Sequence, residues 1–239
     1  MTYVWKKRPG EIARRLDQKA IPGILRDEVV VHEFERMFLL RDGAVVQVLD
    51  HGRHDIGGGF LGRLRRTFGE AIFVDFTDKD LKYGFGDMRL KDGIKVGCHG
   101  EIRFRIHEPQ LFFANLLGGS EVLTLDDLWE RAQLEIKNLM SPILARYTAE
   151  DMYSNPAVRS ECYNSIDMDM RKTFMRWGLE LINLTIDYGF PEEWLEMEKR
   201  RMRMVTEAKL KAEAFCPKCG RPIPPGARFC PECGTKLVG

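Results

Sequence analysis

Apolar residues change their period about halfway along this chain. Between residues 28 and 106 they come in short runs or alternate with polar ones, the strand pattern. Glu28 to His32 and Met37 to Leu40 are the first two runs. Arg41-Asp42-Gly43 is a hairpin signal, and Ala44 to Leu49 resumes the strand. Asp50 to His54 reads as a polar turn and Gly57-Gly58-Gly59 as the opening of a flexible loop. Strands follow at Ala71 to Phe76 and, after a hairpin at Lys91-Asp92-Gly93, at Ile94 to Ile106. In the last of these, Ile102, Phe104 and Ile106 alternate with Arg103 and Arg105, which predicts one buried and one wet face.

Beyond His107 the spacing lengthens to three and four. Pro109 suits the first turn of a short helix over Gln110 to Leu117. Thr124, followed by Asp126 and Asp127, predicts the cap of a helix running to about Tyr147, with a kink at Pro142. A second helix is expected from Ala157 to Trp177, stopped by Gly178, then an amphipathic strand from Leu179 to Tyr188. Pro191 opens a last, highly charged helix to about Ala214, whose apolar positions keep rough heptad steps that Arg201 interrupts. Ahead of all this, residues 1–27 read as a basic lead-in helix, with Ile12, Leu16 and Ala20 at helical spacing and a break at Ile21-Pro22-Gly23. Strands first, then helices with a late strand, is the order of an α+β fold rather than of alternating β-α units.

Residues 216–239 follow neither period. Cys216-Pro-Lys-Cys219-Gly and Cys230-Pro-Glu-Cys233-Gly are two C-x-x-C pairs, each closed by a glycine. Two such turns facing one another offer four thiolates to one ion, the tetrahedral set that suits zinc. The glycines are expected to let the backbone aim its N–H groups at the sulfurs. Nine residues between the pairs are too few to fold on a core of their own, so a single structural zinc is expected as their staple. Redox pairs or disulfides are the competing reading of the same cysteines. A closed four-sulfur site leaves no open position for substrate, so it points to structure or docking.

Composition narrows the rest. The chain has 239 residues with formal net charge +1, so no global field draws it to nucleic acid. Thiolates kept free for metal imply a reducing compartment, the cytoplasm. The first residues carry no apolar secretion signal, and no run approaches the ~20 apolar residues of a membrane span. A membrane contact would therefore be peripheral. The loop from Gly57 to Gly69 is the candidate: Phe60, Leu61 and Leu64 could sit among acyl chains while Arg63, Arg65 and Arg66 reach lipid phosphates. The same residues also fit a loop whose apolar side chains pack inward and whose arginines are solvated.

No pattern for catalysis emerges. Gly-x-Ser-x-Gly, a phosphate-cradling loop and His-Glu-x-x-His are missing from the sequence. His51 and His54 lack a third ligand at motif spacing and read as turn residues; His99 and Cys98 are strand neighbours pointing to opposite faces. Cys162 sits beside Glu161, which does not activate a thiol. Nucleic-acid binding is the rival function. The ribbon is mildly basic through Lys218, Arg221, Arg228 and Lys236, but Phe229 is its one obvious stacking ring, and single-strand binding calls for several.

Val29-Val30-Val31-His32-Glu33, Met37 to Gly43, Gly52-Arg53-His54, Arg89 to Gly93, Phe104 to Pro109 with Phe112-Phe113, and Gly178 to Ile186 together resemble the SPFH, or band-seven, domain of stomatin, prohibitin and flotillin relatives. The branch resembled is that of bacterial cytosolic members with a C-terminal zinc ribbon, of the virion-core-protein-like kind. The resemblance implies two small α+β halves, about 28–106 and 107–190 of a domain over 28–190, then an assembly or linker helix at 191–215 and the ribbon at 216–239. It also implies a non-enzymatic scaffold that oligomerises with itself at the inner face of the cell membrane. Its ribbon would dock a protein, membrane-resident or of a stress response, with anionic lipid as a further partner. The chain differs from the stomatin type in its short post-domain helix and in lacking an N-terminal hydrophobic anchor.

Overall fold

The computed structural model describes residues 2–16, 28–55, 69–212, 214–224 and 227–237. They form two units, Met1–Gly189 and Phe190–Gly239.

The first unit contains three sheets. In the smallest, β1 (Thr2–Val4) lies parallel to β3 (Glu28–Val31), which pairs antiparallel with β6 (Gly52–Asp55). The largest is antiparallel, in the order β10-β2-β7-β4-β5, with β2 at Glu11–Leu16, β4 at Glu35–Arg41, β5 at Ala44–Leu49, β7 at Glu70–Asp75 and β10 at Val122–Thr124. Strands β4 and β7 bury the apolar runs Met37–Leu40 and Ala71–Val74 on both faces, and between their neighbours β2 buries Glu11, Ile12, Ala13 and Leu16. Trp5, Val29, Val31, Met37, Leu39 and Phe73 form the cluster between the two sheets.

The third sheet is built on β9 (Lys95–Ile106). The hairpin partner β8 (Lys79–Arg89) flanks it on one side, and β11 (Leu179–Leu184) and β12 (Asp187–Gly189) on the other. Ile102, Phe104 and Ile106 are buried, while Arg103 and Arg105 are exposed and paired with Asp80, Asp78 and Glu180. The expected single strand from Leu179 to Tyr188 is interrupted at Thr185-Ile186. There Thr185 bonds Glu101 instead, and a side chain at Gly100 would strike its carbonyl.

Helices supply the rest of the core. The short α1 (Pro109–Phe112) runs into one π turn, Phe113–Leu117, where a single helix was expected. Helix α2 (Leu125–Leu144) starts at a full capping box, Thr124 with Asp127, and buries Leu128, Ala132, Ile136, Met140 and Ile143 at spacings of three and four. Pro142 lies in its last turn, so the helix ends shortly after it rather than near Tyr147. Helices α3 (Ala149–Ser154) and α4 (Pro156–Arg176) follow, the latter capped by Asn155 and burying Cys162, Ile166, Met170 and Phe174. Gly178 ends it at φ +78°; a side chain there would collide with the Glu108 carbonyl, which makes glycine obligatory.

The N-terminal expectation fails. Glu11–Leu16 is a strand, not part of a helix, and pairs with β7 and β10. An i, i+4 spacing such as Ile12 to Leu16 is also an even number of residues, so it places both on one face of a strand as readily as of a helix. Arg14, read as part of a basic helix surface, is instead held by both oxygens of buried Glu11 at 2.6 and 2.8 Å. Ala20 and the Ile21-Pro22-Gly23 break lie outside the described residues. The body thus begins at β1. Within it β9 pairs with β11 and β12, and β2 with β10, so strands distant in sequence share sheets. Residues 52–55 are strand β6, not a turn.

In the second unit, α5 (Glu192–Ala212) is followed by the short strands β13 (Ala214–Phe215) and β14 (Pro222–Ile223). Leu195 N–H bonds the Pro191 carbonyl, and the Phe190 and Trp194 rings stack at 5.1 Å.

Candidate metal centre

The ribbon repeats one short design. Phe-Cys-Pro-x-Cys-Gly occurs at Phe215–Gly220 and again at Phe229–Gly234. In each copy the glycine takes φ +68° and its N–H bonds the carbonyl of the first cysteine, at 2.8 Å from Gly220 to Cys216 and 3.0 Å from Gly234 to Cys230. That bond closes a tight turn with both cysteine side chains on its inside. β13 pairs with β14 in the first copy, and Phe229 bridges to Lys236 in the second.

The two turns bring all four sulfurs together. Cys216, Cys219, Cys230 and Cys233 place their Sγ atoms within 4.8 Å of one another. Across the turns, Cys216 lies 3.5 Å from Cys233 and Cys219 lies 3.6 Å from Cys230. Zinc–sulfur bonds of about 2.3 Å put tetrahedral ligands about 3.8 Å apart, so the donor set fits one zinc ion. The two cross-turn spacings exceed the ~2.05 Å of a disulfide, and none of the four cysteines is disulfide-bonded. Apart from the cysteines, Ile223, Ala227 and Leu237 are the apolar side chains packed around the cluster among the described residues.

Backbone and hydroxyl donors around the sulfurs favour thiolate. The Cys219 and Lys218 amides hold the Cys216 thiol below its ordinary pKa. The Thr235 hydroxyl, 3.2 Å from Cys233 Sγ, together with the Thr235 amide, brings Cys233 down to about 6. At Cys219 the Arg221 amide pulls the same way, but burial and three neighbouring sulfurs outweigh it and push the thiol up to about 12. Four thiols this close cannot all ionise without a cation among them. Backbone N–H groups are thus aimed at the sulfurs as the sequence suggested, from Lys218, Cys219, Arg221 and Thr235. Thr235 was missed altogether; its signal was a hydroxyl two residues after a ligand.

Elsewhere the candidates separate. Among the described histidines, His54 is tied through Nε2 to the Asp50 carbonyl at 2.7 Å, a turn contact that leaves that nitrogen engaged. His99 is exposed and Cys98 buried, on opposite faces as the alternation requires. Burial pushes the Cys98 thiol up to about 12 and raises Cys162, which lies 3.7 Å from the Tyr188 hydroxyl; neither is an activated nucleophile. An open pocket of about 270 Å³ lies beside a buried ion cluster. In it Lys7 holds Asp75 at 2.9 Å and Glu35 at 3.2 Å, and Lys79 holds Asp75 at 3.2 Å. These charges satisfy each other, which is what buried ions need for stability. Phe60, Leu61, Arg63, Leu64, Arg65 and Arg66, the membrane-contact candidates, lie outside the described residues. No helix among the described residues is long and apolar enough to cross a membrane.

None of the curated proteins matches the chain. The profile of a zinc-ribbon domain matches residues 215–237, the segment that carries the sulfur cluster. The profile described as "SPFH domain / Band 7 family" matches residues 29–214, most of the chain and all of the body from β3 onward. The chain belongs to the SPFH domain / Band 7 family and carries a C-terminal zinc-ribbon domain.

Proposed function

We propose that this protein is a non-enzymatic, self-assembling scaffold of the SPFH type, cytoplasmic and recruited to the inner face of the cell membrane, whose ribbon docks a protein partner. The observation that carries the reading is the exposed apolar side chains of α5. Met197 and Met204, seven residues apart, are 62% and 64% exposed, and Val205 beside them is 50% exposed. Residues seven apart share one helix face, so these side chains are apolar points there, separated by Arg200 and Arg201, on a helix otherwise dense in charge. Exposed methionines make adaptable contact surfaces. A second copy of the same helix is the occupant we assign, in keeping with the family.

Cys216, Cys219, Cys230 and Cys233 would hold one zinc ion, which when bound supplies the cross-link that a ribbon with so small a core lacks. Its four thiolate ligands leave no position for substrate, and in the body the buried thiols and the ion cluster beside the open pocket are disposed for stability. Both support a role in binding rather than turnover.

Lipid contact is assigned to the segment that bears Arg63, Arg65 and Arg66. Each basic residue near an anionic surface contributes about 1 kcal/mol, so three amount to on the order of 100-fold in binding. Negative-stain imaging of the full chain, with and without phosphatidylserine vesicles, tests assembly and attachment together. Particles of many subunits that decorate the vesicles are expected. Replacing the three arginines by Glu should lower cosedimentation about 100-fold or more; unchanged cosedimentation removes the loop from the account.

A further inference from the structure

We propose that Phe215 and Phe229, with Lys218, Arg228 and Lys236, form a face of the ribbon that takes an acidic protein segment carrying apolar side chains. The proposal rests on the docking role given to the ribbon above and names the class of its partner.

Both copies of the repeated turn place a phenylalanine immediately before the first cysteine, and both rings are turned outward. Phe215 is 60% and Phe229 56% exposed, in a domain whose own core is short of apolar side chains. The register says what accompanies each ring. Residues directly opposite in an antiparallel pair project from the same side. Phe215 stands opposite Pro222, an apolar pair; Phe229 stands opposite Lys236, a ring beside an ammonium. The sequence pointed to Phe229 as the one stacking ring, and the exposure of Phe215 adds a second.

Charge selects the partner. The single acid of the ribbon, Glu232, is taken by Arg221 at 2.8 Å. Lys218, Arg228 and Lys236 are exposed and have no acidic partner among the described residues. They suit carboxylates flanking an apolar anchor. A polyphosphate is the other anion to weigh. Its binding rests on neutralising many phosphates, for which three cations offer little. Two rings able to bury about 150 to 250 Å² each are the larger asset, and they reward apolar side chains.

The test uses the zinc-loaded full chain and fluorescein-labelled twelve-residue peptides. The reference peptide mixes eight Glu or Asp with four Leu; one control carries Lys for each acid, another Ser for each Leu, and (dT)12 represents single-stranded nucleic acid. The reference peptide is expected to bind about 10-fold or more tighter than either control peptide. The double variant Phe215→Ala, Phe229→Ala should lose about 10-fold while keeping its zinc and its assembled mass. A Lys peptide bound as tightly as the acidic one would overturn the partner class and leave ribbon docking standing. Failure of every peptide would remove docking as well, and tighter, steeply salt-dependent binding of (dT)12 would give the face to nucleic acid.

Discussion

Thr235 shows what a single side chain contributes to a site that four others define. Its hydroxyl and amide both reach Cys233, the sulfur they bring down to about 6. Partners of this kind orient a ligand and keep it ionised, and losing one typically lowers metal affinity about 10- to 100-fold. Thr235→Val should therefore weaken zinc binding about 10-fold in a chelator competition while leaving all four cysteines in place; unchanged affinity would reduce Thr235 to a bystander. The ligands themselves were legible because C-x-x-C-Gly is a complete local instruction: spacing sets the turn and the glycine closes it. Thr235 was not, since a hydroxyl near a ligand is common in any sequence. What distinguishes it is position in three dimensions.

At the scale of elements, legibility follows how many residues state the period. Helix α2 repeats its apolar spacing from Leu128 to Leu144 behind the Thr124 cap, and α4 repeats its own from Cys162 to Phe174 before the Gly178 stop, so their existence was plain. Strand β2 offered Ile12 and Leu16 alone, a spacing common to both periods, and only pairing with β7 and β10 decides between them. Burial of β2 also explains Glu11, which accepts from Trp5, Arg8 and Arg14 and whose carboxyl lies below the usual range: burial raises it, and these donors outweigh burial. A depressed folded-state pKa adds stability above the unfolded pKa of about 4.3, and that stability is lost as pH falls through the folded value. Glu11→Gln should thus lower stability by about 3 kcal/mol at pH 7, with the gap to the natural chain closing below about pH 4, in urea titrations across pH. A gap independent of pH would deny the carboxylate its role. For α5 the expectation concerns association. Met197→Glu with Met204→Glu should shift the chain to smaller species in sedimentation velocity, without loss of helix signal in circular dichroism. Species of unchanged size would move the assembly surface elsewhere.

The whole molecule joins a body with a mixed population of sheets to a charged helix and a zinc-ribbon domain with four clustered cysteines. What the sequence conveyed at this scale was order: the chain of loose motifs from Val29 to Ile186 resembles the family whose profile matches 29–214. It did not convey how far the body reaches toward the N-terminus, because β1 is three residues long and Trp5 finds most of its burial against strands distant in sequence. Nor did it convey that β9 serves as the hub on which β8, β11 and β12 all pair, a feature of long-range register. The central claim is that this chain works by associating with copies of itself. Light scattering on the zinc-loaded full chain, after size exclusion at micromolar concentration and without lipid or nucleic acid, measures that directly. The account predicts a mass several-fold above the 27.6 kDa of one chain; a single species at the monomer mass across the concentration range would contradict it.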